Sequence, residues 1–233
     1  MTYQPQGLPV LILDDIVGLI SDPRTKPIEE VFFGKNFMCK FPNGEIYFDS
    51  KLALDTDGSR FAIPDAHGHK EDPSGQATTA TRKADGSSLD ADEINYFVLP
   101  GDFWIRHRIG KGDIGVVIAG IRISYACFGD VGPAGSLGEA SIALHRDLGH
   151  ETVVGGHLRN EGLNGGAITI VFPGSGNGFG RTNKESEGLG KVLFAKLQQE
   201  ARDFALSGTE AQAKARQEEA EMYFQKYHHY PPF

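Results

Sequence analysis

The chain has 233 residues, with 23 Lys and Arg against 31 Asp and Glu and a formal net charge of −8. Hydrophobic residues at 39% and aromatics at 10% supply a core, which excludes wholesale disorder. No run approaches the ~18 apolar residues of a membrane helix, so no membrane span is expected. The acidic balance also argues against a nucleic-acid binder, which needs a basic face for phosphates. It fits a cationic partner or an ordinary solubility charge.

Of the 30 glycines, 27 fall in residues 1–187. That distribution predicts a mainly β chain of short strands and tight turns with a helical tail. Leu8 to Ile20 is apolar but broken by Asp14 and Asp15, with no Lys or Arg before it, so it does not read as a signal peptide. Val31 to Phe48 predicts a hairpin turning at Pro42-Asn43-Gly44. Asp55-Thr56-Asp57-Gly58 reads as a turn rich in side-chain acceptors. Residues 64–92 read as a long surface loop, disordered or functional. Ile94 to Leu99 predicts a strand. Ile114 to Phe128 predicts a long β run bent at Gly120. Ala140 to Leu148 predicts a short helix, and Ala167 to Phe172 a buried strand. Leu193, Leu197, Ala201 and Phe204 share one helical face. Ser207-Gly208 breaks that helix, and Thr209 with Gln212 has the form of a capping box for a second one, to about Tyr223. The pair predicts a helical hairpin that packs on the rest or binds a protein partner. Cys39 and Cys127 allow at most one disulfide, and Cys127 reads as a buried thiol.

The stretch from Tyr125 to Ile142 carries the chemistry. A β-rich run delivers Asp130 at its end, and a Gly-rich loop returns to present Glu139. Two rigidly held carboxyl groups are what glycoside hydrolysis needs, one to protonate the departing oxygen and one to activate water or attack the sugar. The same two residues equally suit a turn acceptor and a helix-start charge.

The stretch resembles glycoside hydrolase family 75, the chitosanases first known from fungi. The resemblance rests on Gly129-Asp130 ending a Tyr-containing strand and on Gly138-Glu139-Ala140-Ser141-Ile142. It also rests, in order, on Asp55-Thr56-Asp57-Gly58, Asp72-Pro73-Ser74-Gly75-Gln76, Leu89-Asp90 before Tyr96-Phe97-Val98-Leu99, and Val171-Phe172-Pro173-Gly174-Ser175. It spans roughly residues 31–180. It implies endo-hydrolysis of the β-1,4 bonds of chitosan with inversion, in a six-stranded double-psi-like β-barrel; the catalytic domain is expected over residues 1–187, and residues 188–233, outside the resemblance, as a C-terminal helical extension. It places the catalytic pair on Asp130 and Glu139, with Glu139 the expected general acid and Asp130 the base. A helix beginning at Glu139 would lower its pKa, the wrong direction for an acid.

A chitosan polymer carries amines, so carboxylates lining a groove would attract it. Asp49, Asp55 and Asp57 are the expected contacts, with Tyr47 and Trp104 as flat faces for sugar rings. Asp55 and Asp57 also suit a turn or a fortuitous metal-like pair, and Trp104 a core position. No metal or other cofactor is expected: the eight histidines show no zinc-like spacing. The family is secreted and richer in cysteines, so the resemblance implies extracellular action that the missing signal does not support. Another amino-sugar polymer, chitin or peptidoglycan, and a non-catalytic glycan-binding barrel remain open.

Overall fold

The structure, a computed structural model, describes residues 10–30, 32, 36–159 and 161–206. It begins with helix α1 (Val10–Ile20) and strands β1 (Lys26–Pro27), β2 (Met38–Lys40), β3 (Ile46–Asp55) and β4 (Tyr96–Pro100). Helix α2 (Phe103–Arg106), strands β5 (Ile114–Ala119), β6 (Arg122–Gly132) and β7 (Glu139–Ser141), and helix α3 (Ile142–Asp147) follow. Strands β8 (Val153–Val154), β9 (His157–Leu158) and β10 (Leu163–Phe172) lead to helix α4 (Asn183–Leu206).

Strands β3, β10, β5, β6, β4 and β7 pair in that order, and β7 pairs back onto β3. Six strands therefore close into a barrel, and the chain is mainly β. Two of the contacts, β4 with β6 and β3 with β7, are parallel. Strands β1 and β2 extend the sheet beyond β3.

Alternation along each strand sorts its side chains to the two faces of the barrel wall. Phe48, Phe97, Val117, Phe128 and Val171 share one buried cluster. Tyr47, Val116, Ile118, Cys127 and Ile170 share the other, with Ile16 and Leu19 of α1 and Phe194, Leu197 and Ala201 of α4. The face that meets these two helices is the outside, so the first set fills the lumen. The predicted face of α4 is the one that packs: Leu197 and Ala201 are buried and Leu193 lies against the same cluster. The helix starts ahead of the expected boundary at 188 because Thr182 and Glu185 form a capping box, Thr182 N–H donating to Glu185 at 2.9 Å and Glu185 N–H to Thr182 Oγ1 at 3.3 Å. The expected second helix lies outside the described residues.

Two expectations change and a third is sharpened. The run from Ile114 is two strands, not one bent strand, because Gly120 takes φ +55° and reverses the chain completely. The short helix starts at Ile142, because the Ser141 hydroxyl accepts the Leu144 N–H and caps it there. Residues 64–92 run over the surface, as expected, and are anchored there: Leu89 and Ala91 pack onto the outer cluster with Phe61, and Asp72, Thr79 and Thr81 are buried beside Thr56. Cys39 and Cys127 are both buried and free.

Candidate active site

Asp130 is aimed by a bulge. Phe97 lies opposite Phe128, but Val98 lies opposite Asp130, so Gly129 is an extra residue in β6. One inserted residue turns the following side chains to the other face. Phe128 points into the lumen, and without the bulge Asp130 would follow it there. Instead Asp130 shares the outer face with Tyr96 and Val98. Glycine is required at 129, because a Cβ there would lie 2.4 Å from Tyr96 Cβ. The 56–92 segment braces the bulge: Thr81 N–H donates to the Gly129 carbonyl and Thr81 Oγ1 to the Phe128 carbonyl, both at 3.0 Å.

Gly129→Ala therefore forces either Tyr96 or the bulge to move. Denaturant unfolding should show a loss of about 1–3 kcal/mol, the usual cost of overpacking. A change within about 0.5 kcal/mol, as at neutral surface sites, would mean that the bulge accepts a side chain.

Three more carboxyl groups share that outer face. Glu139, on β7, lies beside Ala53 of β3 and Val98 of β4, and Val98 in turn lies beside Asp130. The Glu139 carboxyl reaches across Val98 to Gly132, where a Cβ would stand 2.9 Å from Glu139 Oε2. Gly132 is two residues past Asp130, one side-chain repeat of about 6.8 Å along the strand. Asp55 ends β3, and Asp57 follows in a turn whose N–H donates to Asp55 Oδ1 at 2.8 Å. Acceptor oxygens of Asp55, Asp57 and Asp130 all lie within 4.8 Å of one another. A cation could sit among them, and a proton meets the same electrostatic demand.

The hydrogen bonds divide the roles. Asp130 Oδ1 accepts Ala80 N–H at 2.8 Å and Val131 N–H at 2.7 Å, which favours its charged form. Asp57 Oδ1 accepts Gln76 N–H at 2.7 Å. Two hydrogen-bonded carboxyl groups hold one proton between them. Two backbone N–H bonds to Asp130 against one to Asp57 favour the proton on Asp57, whose carboxyl burial, with the Asp130 charge beside it, pushes up to about 7. Burial still leaves Asp130 above its ordinary value. Burial, then the charge of Asp57, holds Asp55 well above the usual carboxylate range. Burial also raises Glu139, opposed by a hydrogen bond from Ser136 and by Lys51. The concern over a helix start disappears, because Glu139 is on a strand and the helix begins beyond it.

The Asp72–Gln76 motif is the scaffold of this cluster. Asp72 accepts Ser74 N–H at 3.0 Å and the Thr56 hydroxyl at 2.8 Å, tying the loop to the residue between Asp55 and Asp57. Gly75 presses against Thr56, where a Cβ would fall 2.4 Å from Oγ1.

No protein-family model matches this chain, and no curated protein does.

The structure brings Asp55, Asp57, Asp130 and Glu139 together and leaves three expected residues elsewhere. Asp49 lies six residues before Asp55 on β3, about 20 Å away along the strand, and its carboxylate accepts Phe37 N–H at 2.7 Å. Tyr47 is 0% exposed and packs between Phe37 and Phe41, so its ring offers no face to a sugar. Trp104, on α2, packs on Phe128 and the lumen cluster, at 5.8 Å between ring centroids. The sequence reading gave Asp57 a place against substrate and missed its bond to Asp130. It also missed Thr79 to Thr81, whose backbone braces Asp130. The run of threonines was the available signal, since their hydroxyls satisfy buried backbone groups: Thr79 Oγ1 accepts Leu89 N–H and donates to the Thr81 carbonyl.

Proposed function

We propose that the chain is an endo-acting glycoside hydrolase that cleaves the β-1,4 bonds of chitosan with inversion, on a double-psi barrel of the family 75 kind. One observation carries the proposal: the half-buried Glu139 carboxyl, its pKa raised, reaches across Val98 to Gly132, two residues past Asp130, whose carboxylate is held by backbone N–H groups. An inverting pair needs roughly 6.5–9.5 Å between its carboxyl groups, room for one water beside the sugar.

In this reading Glu139 gives its proton to the departing glycosidic oxygen. Asp130 takes a proton from the water that attacks the anomeric carbon from the opposite face. Burial raises the Glu139 pKa, the direction a general acid needs for its step. The Ala80 and Val131 N–H groups and the Asp57 proton stabilise Asp130 as the anion and fix its orientation. The surplus of carboxyl groups then draws in a polymer of protonated amines, which pays back part of the repulsion among them on binding.

Reducing ends released from chitosan, chitin and peptidoglycan, measured side by side, test the substrate. The fastest turnover is expected on chitosan and persists in excess chelator. Faster release from chitin or peptidoglycan would move the activity to another amino-sugar polymer. Binding to chitosan with no product after long incubation would make the chain a glycan-binding barrel.

A further inference from the structure

At the other end of β6 from Asp130, α3, α4 and the start of β4 surround a cavity of about 660 Å³. That is the size of a small-ligand site. Ser124 on its floor is six residues before Asp130, about 20 Å along the strand. The cavity and the carboxyl cluster share no side chain.

Its floor is built from buried polar groups. Asn95 is 5% exposed and Ser124 1%. Asn95 Nδ2 donates to Ser124 Oγ at 3.2 Å and to Asp147 Oδ2 at 3.1 Å. The Ser124 hydroxyl donates to the same Asp147 oxygen at 2.5 Å. An amide nitrogen has two protons and a hydroxyl one, so every side-chain donor on the floor is committed. What the floor itself still offers is acceptors. Among the described residues no donor reaches Asn95 Oδ1 or Asp147 Oδ1, and the Glu93 carboxylate at the rim is likewise without a partner. The two cations that line the cavity are each paired with a carboxylate, Arg146 with Asp92 and Lys191 with Glu187, both at 2.5 Å. Ile123 and Tyr125 give one apolar wall. Helix α4 lies directly on that tyrosine: a Cβ at Gly190 would be 2.4 Å from its ring.

A cavity with free acceptors, uncompensated negative charge and an apolar wall fits a ligand with many donors, a positive charge and a weakly polar face. We propose that it is a second, non-catalytic binding site for a protonated amino sugar, one or two glucosamine units of a polymer. The ammonium sits on Asp147 and Asn95, and ring hydroxyls reach Glu93. Naming an amino sugar rests on the proposed function. The demand for a cationic, donor-rich ligand does not.

The test uses ¹⁵N-labelled Glu139→Gln protein, in which cleavage of the ligand is slowed. It is titrated with glucosamine tetramer and with the fully N-acetylated tetramer. Saturable shifts of the Asn95, Ser124 and Tyr125 amides are expected with the free-amine tetramer. The acetylated tetramer should bind there about tenfold more weakly, the scale of one charge-assisted hydrogen bond. Adding Asp147→Asn should weaken the cavity titration by about tenfold and leave shifts around Asp130 unchanged. Glu93→Gln, a rim change that touches no floor hydrogen bond, should weaken it as well in a protein of unaltered fold. No shift at the three amides, equal binding of the acetylated tetramer, or indifference to both substitutions would overturn the site. Hydrolysis by the unmutated protein is read separately. A chain that cleaves nothing yet shows these shifts keeps the cavity site and loses the hydrolase. A chain that cleaves chitosan without them does the reverse.

Discussion

Asp130→Asn and Glu139→Gln are each expected to slow reducing-end release from chitosan by about 10³-fold, within the 10²–10⁴ that a general acid or base contributes. The two losses differ in kind. A substrate whose leaving group departs without protonation has no use for an acid. On an aryl glucosaminide oligomer, Glu139→Gln should therefore recover much of its rate and Asp130→Asn should not. Both variants should be at least as stable as the parent protein, because Asp130→Asn removes a charge beside Asp55 and Asp57 and Glu139→Gln removes a carboxyl whose charged form burial penalises. Unfolding curves run beside the assays separate lost chemistry from lost structure. Full activity in either variant would remove that residue from the pair. Equal recovery of both on the aryl substrate would reverse or void the role assignment.

The second large effect is on stability, at Asp57. Its carboxyl is pushed up to about 7 from an ordinary 3.8. A raised acid binds more protons in the folded state than in the unfolded chain between those values. Its contribution to stability is complete below the unfolded pKa and lost as pH rises through about 7. Asparagine at 57 cannot ionise, and it still offers a donor to Asp130 and an acceptor to Gln76 N–H. Asp57→Asn should therefore match the parent near pH 4 and exceed it at pH 8, by on the order of a few kcal/mol. Urea unfolding across that range measures the difference. His145, held neutral by burial with its pKa lowered to about 4, works in the opposite sense. It destabilises the fold as pH falls from 6.5 toward 4, equally in both proteins, and cancels from the comparison. A gap independent of pH would show that Asp57 holds no proton. Asp57→Asn should also keep most of the activity that Asp57→Ala loses, because only the amide preserves the bond to Asp130.

Local patterns in the sequence carried the hairpin at Asn43-Gly44, the apolar face of α4 and the two carboxyl groups flanking a glycine loop. Each depends on neighbours within a few residues. The orientation of Asp130 does not. It depends on Gly129 bulging against Tyr96, a strand pairing across more than thirty residues that no periodicity announces. Tyr47 shows the reverse error. An aromatic beside Asp49 looks like a sugar platform in a list of residues, yet alternation along β3 sends it into the packed layer beneath Phe37 and Phe41. Residues 64–92 form the expected surface loop, but polarity does not show what anchors it: Asp72 pairs with Thr56, and Thr81 with the Phe128 carbonyl. Polarity alone does not distinguish a loop in water from a loop that replaces water with its own hydrogen bonds.

The central claim is that Glu139 and Asp130 act across one water on a β-1,4 bond. The anomeric form of the first product tests it most directly. Proton NMR during hydrolysis of glucosamine hexamer, recorded before mutarotation, should show the α anomer of the new reducing end appearing first. The β anomer appearing first would mean retention and contradict a water-spaced pair.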